Sequence, residues 1–269
     1  MKPIKFYAPE WGNTLPFAQF CQNVNDAGYD GVEMALPPDP DEYQPILDTL
    51  HDHDLELIGQ YYQSFERDLN EHARNYETYL RHLANARPVL INCQTGKDYF
   101  TFDQNRHLFE LAARISAETG IEIIHETHRN KALFAAHIAQ QYLTALPDLR
   151  ICLDISHWCT VHESLLDDQP EAVQLALSRA DHIHSRVGYP EGPQVNDPRA
   201  PEWETTLNTH LAWWDTVVET HRAAGTQLTI NTEFGPAPYM PLQPYTQEPL
   251  ASQWDVNVFM MNLLKERYG

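Results

Sequence analysis

Ile121-Glu122-Ile123-Ile124-His125-Glu126-Thr127-His128 is an apolar run that stops on an acid. Twenty-eight residues after Glu126, Arg150-Ile151-Cys152-Leu153-Asp154-Ile155-Ser156-His157-Trp158 repeats the pattern. Thirty residues after Asp154, His182-Ile183-His184-Ser185-Arg186 stops on an imidazole, and 49 residues after that Leu228-Thr229-Ile230-Asn231-Thr232-Glu233-Phe234-Gly235 stops on an acid again. The first two steps are each the length of one strand and one helix. The third is one such unit plus a long loop. The runs are continuously apolar rather than alternating, as expected of parallel strands covered on both faces.

Four further runs precede these, at 4–8, 31–36, 55–62 and 89–93, which with 121–126, 150–154, 182–187 and 228–233 makes eight. Amphipathic segments fill the gaps. A helix over 15–27 is expected to end at Gly28, and one over 103–119 to start at Asp103 as N-cap and end at Gly120. The others are expected at 41–54, 69–86, 132–146, 171–179, 203–224 and 253–267. Strand then helix, eight times in 269 residues, predicts a single-domain (β/α)8 TIM barrel spanning 1–269. A doubly wound sheet is the runner-up, but its Gly-rich first turn is not found in Tyr7-Ala8-Pro9-Glu10-Trp11-Gly12. The irregular stretches 188–201 and 235–249 follow the seventh and eighth runs, where a barrel builds its active-site face.

Composition narrows the function classes. The formal charge of −20, from 38 acidic and 18 basic residues, repels phosphate backbones and argues against a nucleic-acid partner. No apolar run approaches a membrane span of about 20 residues. The start of the chain shows no export signal, and Cys21, Cys93, Cys152 and Cys159 form no Cys-x-x-Cys pair, so reduced thiols in a cytoplasmic protein are expected. The 14 histidines, several beside acids, prompt a search for metal.

In a barrel, polar residues at the C-terminal strand ends point into the mouth. Glu126, Asp154, His184 and Glu233 occupy those positions on four consecutive strands. Three carboxylates and an imidazole suit one divalent metal ion (Mn2+, Mg2+, Co2+ or Zn2+) with positions left for substrate. Found alone, any one of the four is as well explained as a helix cap or an ion-pair partner.

With these motifs in place, the chain resembles the xylose isomerase-like barrel superfamily over nearly its whole length. The resemblance rests on Gly28-Tyr29-Asp30-Gly31-Val32-Glu33, the Glu-x-His of Glu126 to His128, the Asp-x-x-His-Trp of Asp154 to Trp158, the His-x-His of His182 to His184, and Glu233. It implies metal ligation by Glu126, Asp154, His184 and Glu233, and proton transfer by the two glutamates. It also implies contact between His157 and a substrate oxygen. The superfamily's nucleases bind further metals through histidines of strands three and four. Those strand ends read Gln60-Tyr61-Tyr62 and Asn92-Cys93-Gln94, with no histidine.

The expected activity is isomerisation or epimerisation of a small sugar or keto-polyol through a metal-stabilised enediolate. The alternatives are a dehydratase of the same superfamily, with His157 or His128 as acid, and a non-catalytic sugar-binding barrel. Arg186, two residues past His184, can neutralise an enediolate or pair with a site carboxylate. Glu33 can orient Arg186 or bind a hydroxyl. His128 reads as a residue behind the ligands, and Trp11 and Tyr61, with Tyr62 and Trp158, as rings for a sugar to stack on. No phosphate cradle is evident, which favours an unphosphorylated substrate. A homo-oligomer is possible, with the aromatic-rich helix 203–224 as a candidate interface.

Overall fold

The computed structural model describes residues 3–269. The first two residues of the chain start, read above as free of an export signal, lie outside the described residues. Strands β1 (Lys5–Pro9), β2 (Gly31–Met34), β3 (Glu56–Tyr61), β4 (Ile91–Cys93), β5 (Ile123–Glu126), β6 (Ile151–Leu153), β7 (Ala180–His184) and β8 (Thr229–Asn231) pair in parallel, each with its sequence neighbour. The pairing of β1 with β8 closes the sheet into a barrel. This is the (β/α)8 layout expected from the eight runs.

Helices α1 (Phe17–Ala27), α2 (Pro40–Asp52), α3 (Leu69–Asn85), α4 (Phe102–Thr119), α5 (Ala136–Ala145), α6 (Ser156–His162), α7 (Pro170–Leu177), α8 (Glu204–Ala224) and α9 (Gln253–Tyr268) surround it. Helix α1 ends at Gly28, whose φ of 89° is the left-handed geometry that only glycine adopts without cost. Helix α4 starts one residue earlier than expected. Thr101, not Asp103, is its N-cap, and Thr101 with Gln104 forms a reciprocal capping box. Helix α5 starts four residues late because 132–135 serve the loop: Ala132 N–H donates to the Thr95 carbonyl, and Ala135 is extended. Helix α6 follows β6 directly and was not anticipated. Its seven residues bury Ser156, His157, Trp158 and Cys159. Among the described residues no helix is long and apolar enough to cross a membrane.

Strand parity decides what faces the barrel axis. Tyr7, Ile58, Leu90, Ile124 and Cys152 form a small inner cluster, while their strand neighbours Phe6, Ala8, Leu57, Ile123, Ile151 and Leu153 join the large layer beneath the helices. Two residues beyond Ile124 stands Glu126, and two beyond Cys152 stands Asp154. The alternation alone turns both acids inward at the C-terminal mouth. All four cysteines are free and buried.

Candidate metal centre

The parity that aims Glu126 and Asp154 at the axis also aims His182 and His184 of β7, Glu33 of β2, Asn92 of β4 and Gln60 of β3. Glu126, Asp154, His184 and Glu233 each offer a donor atom, and the four atoms lie within 4.8 Å of one another. All four residues are buried, Glu233 the least at 4%. Two other trios of donors share members with this quartet: Glu126, His128 and His157, and Cys152, His182 and His184.

The contacts within the quartet converge on a point. His184 Nδ1 lies 2.7 Å from Glu233 Oε2, 3.8 Å from Asp154 Oδ2 and 3.9 Å from Glu126 Oε1. Yet His184 Nδ1 and Glu126 Oε1 make no hydrogen bond with acceptable angles. Buried polar atoms without partners are rare in native proteins. Two of them facing one another across three carboxylates fit a divalent cation.

The supporting groups are as specific as the quartet. Glu33, 2% exposed, receives four donors: His184 Nε2 at 3.1 Å, His182 Nε2 at 3.0 Å, Asn231 Nδ2 at 2.6 Å and Asn92 Nδ2 at 2.9 Å. It neither contacts Arg186 nor lines the cavity, so its role is to fix the His184 ring, with Nε2 toward Glu33 and Nδ1 toward the quartet. Burial works against the Glu33 charge, but His184 and His182 hold its carboxyl well below the usual range. The amides at the strand positions that lack histidine also serve the site. Gln60 Nε2 donates to Glu233 Oε1 at 3.2 Å, and Asn92 Nδ2 lies 3.4 Å from Glu126 Oε2.

Arg186 is 1% exposed and pairs with Asp154, with Glu233 Oε2 at 3.5 Å. Its guanidinium lies 4.8 Å from the Tyr239 ring and 5.9 Å from the Trp11 ring. Burial would raise the Asp154 carboxyl, but Arg186 and the nearby histidines outweigh it and hold Asp154 far down. Glu126 has no such partner. Burial, with Glu233 and Asp154 beside it, raises Glu126 to about 8. His157 Nε2 lies 2.9 Å from Arg186 Nη2. Because arginine only donates, the imidazole proton sits on Nδ1, which has no partner in the chain. The His128 ring lies 3.9 Å from that of His157, and its Nδ1 donates to the Arg129 carbonyl at 2.5 Å. Burial pushes His128 down to about 3 and His157 well below its usual value.

A cavity of about 560 Å3 opens over the quartet, lined by Glu233, Arg186, His128, Trp11, Gln60, Tyr62, Tyr239 and others. Tyr61 does not line it. Its ring packs against Tyr76 at 5.0 Å and Tyr79 at 5.7 Å, on the outward side of β3. Trp158 is fully buried, with Nε1 donating to the Leu133 carbonyl at 2.8 Å. Sequence reasoning missed Tyr239, Glu10 and Gln60 as lining residues. Inward parity from Ile58 was a usable signal for Gln60 and Tyr62. Gly235 makes room for Trp11: a Cβ there would stand 2.1 Å from the indole. Gly235→Ala is expected to push Trp11 off its place beside Arg186, read as a shift in tryptophan emission. Unchanged emission would show that the ring finds another fit.

No family model matches the chain, and no curated protein matches it in sequence. Solved structures do. A xylose isomerase-like TIM barrel protein from Mycobacterium smegmatis in complex with magnesium has a TM-score of 0.66 at 11% identity, over 99% of this chain and 98% of that one. A D-allulose 3-epimerase from Methylomonas sp. has a TM-score of 0.65 at 14% identity, covering 99% of each chain. Endonuclease IV from Thermus thermophilus has a TM-score of 0.56 at 11% identity, over 98% of this chain and 100% of that one. Because an epimerase and a nuclease share the likeness, it does not by itself choose between a sugar and a nucleic acid. At these identities the likeness is one of fold: the chain shares the (β/α)8 barrel of these proteins.

Proposed function

We propose that the protein is a divalent-metal-dependent isomerase or epimerase of a small sugar or keto-polyol, with Glu126, Asp154, His184 and Glu233 as ligands. The carrying observation is the quartet itself: two glutamates on opposite strands, β5 and just past β8, meeting at one imidazole under an open cavity. A divalent ion held there would act as a Lewis acid on a carbonyl and its neighbouring hydroxyl, acidifying the C–H between them.

The residues of the chain supply the rest. Glu233 faces the cavity and is steadied by Gln60, so it is placed to take a proton from a substrate carbon. Glu126, whose Oε1 lies 3.9 Å from the same His184 Nδ1, is the carboxylate that would return one. Arg186 at the cavity wall stabilises negative charge that develops on a substrate oxygen. His157 Nδ1–H has no partner in the chain, but its ring is fully buried and lies behind the cavity-lining Arg186 and His128. The lyase alternative needs an acid beside the leaving hydroxyl. Burial keeps both His157 and His128 neutral at pH 7, which favours hydrogen bonding over that role.

The test is deuterium exchange from solvent into a panel of ketoses and keto acids, using protein loaded with Mn2+ or Mg2+. Incorporation beside the carbonyl is expected with at least one of them, and is expected to stop when the metal is chelated. No exchange across the panel by a loaded protein sinks the reaction. Elemental analysis that finds no divalent ion bound sinks the metal.

A further inference from the structure

Outside the quartet, the mouth of the barrel holds a second group of buried charges. Lys97, four residues past β4, is 6% exposed, and Lys131, five past β5, is 5% exposed. Among the described residues, neither ammonium has a carboxylate within 4.0 Å. The one hydrogen bond they make is a long one, from Lys131 Nζ to the Tyr62 carbonyl at 3.4 Å. An ammonium carries three donors, and burying it unpaired is costly. Burial first, and the Lys97 charge second, push Lys131 down to about 8. Burial lowers Lys97 as well.

The neighbouring groups are also unsatisfied. The Tyr61 hydroxyl and Glu66 Oε2 are buried without partners. The other oxygen of Glu66 is taken by Asn75 Nδ2 at 2.5 Å. Asp98, also nearby, is exposed. The acids that act on Lys131 are Glu126 of the quartet, then Glu66, whose Oε2 lies 3.6 Å from His72 Nδ1, and then Asp98. The two lysines stand behind the cavity wall rather than on it: Gln94 and His128 of their loops line it, and Lys131 Nζ bonds the carbonyl of Tyr62, which also lines it.

We propose that Lys97 and Lys131 form an oxyanion subsite at the β3–β5 side of the cavity, and that the substrate carries a carboxylate or a phosphate held there. This rests on reading the cavity as the substrate site; a phosphate there would reverse the sequence expectation of an unphosphorylated substrate, and a carboxylate would agree with it. The reacting carbon lies at the quartet and the anionic group at the lysines. Recognition and proton transfer are then carried by different strands. At Lys131, the more deeply buried of the two, an ammonium–oxyanion contact is stronger than at a surface.

The subsite is tested without turnover, by titrating the metal-loaded protein with inorganic sulfate, which stands for phosphate, and with acetate, which stands for a carboxylate. Saturable binding of at least one is expected. Lys97→Met and Lys131→Met are each expected to weaken it about tenfold, the loss of one charge-assisted hydrogen bond. Lys131→Arg is expected to retain binding, and Glu66→Gln to tighten it. The better ligand identifies the substrate's anionic group. If neither anion binds, or if the Lys97→Met/Lys131→Met double variant binds as the native protein does, the subsite is overturned. Anion binding without any deuterium exchange would leave the subsite standing and the proposed reaction fallen.

Discussion

Glu126→Gln is expected to slow proton exchange by about 10³-fold or more, the range for loss of a general acid or base, and to weaken divalent-ion binding as well. The same variant is expected to change how the stability of the metal-free protein depends on pH. In the folded chain Glu126 is raised from its ordinary 4.5 to about 8, because it is buried beside Glu233 and Asp154. A group raised on folding contributes stability that is fully present below the lower value and is lost as pH rises through the upper one. The Glu126 contribution therefore lowers the melting temperature of the metal-free protein at pH 8.5 relative to pH 5, while the neutral buried histidines, His128 and His157 among them, act in the opposite direction, so Glu126 is read from the difference between the native protein and the variant. Glu126→Gln removes that contribution because the amide does not titrate. Thermal melts in chelator at the two pH values decide the matter, and equal slopes for the two proteins would remove Glu126 as the cause.

Glu33→Gln is expected to cost about 3–5 kcal/mol of stability, the range for breaking a buried charge pair by removing one partner. It keeps the shape of the side chain. However, a carboxylate that accepts from His184, His182, Asn231 and Asn92 becomes an amide with two donors of its own. His184 then loses the partner that orients it, and divalent-ion affinity is expected to fall about 10–100-fold. Calorimetric titration with Mn2+ reads this directly. A variant that folds and binds the ion as tightly as the native chain would show that packing alone holds His184 in place.

What the sequence disclosed, and what it hid, follows from range. The quartet residues stand at the ends of apolar runs, so a local pattern exposes Glu126, Asp154 and His184, and the regular spacing ties them to Glu233. Arg186 is legible for the same reason, two residues beyond His184. The role of Glu33 is not, because its partners lie 59 to 198 residues away and only barrel closure brings them to it. Helix α6 was hidden by its length: seven residues are too few to show a helical period. Tyr61 was offered as a stacking ring although strand parity, counted from Ile58, turns Tyr62 and not Tyr61 to the cavity. Lys97 and Lys131 were passed over because a lysine is by default a surface residue. Nothing in their immediate sequence says that two strand-end loops bury them together.

One consequence of the quartet's setting concerns how the ion arrives. Burial would strip His184 of its charge, but Glu233, Glu33 and Glu126 around it keep its imidazole protonated well above the usual range. Glu126, raised to about 8, also holds a proton at neutral pH. Metal-free, the site is thus already charge-balanced by two protons and by the Arg186 guanidinium. Loading would be an exchange in which a dication displaces protons from Glu126 and His184, so divalent-ion binding is expected to strengthen as pH rises. A site of this kind would act as a weak-acid ion exchanger, taking up a dication more readily as the surroundings turn alkaline.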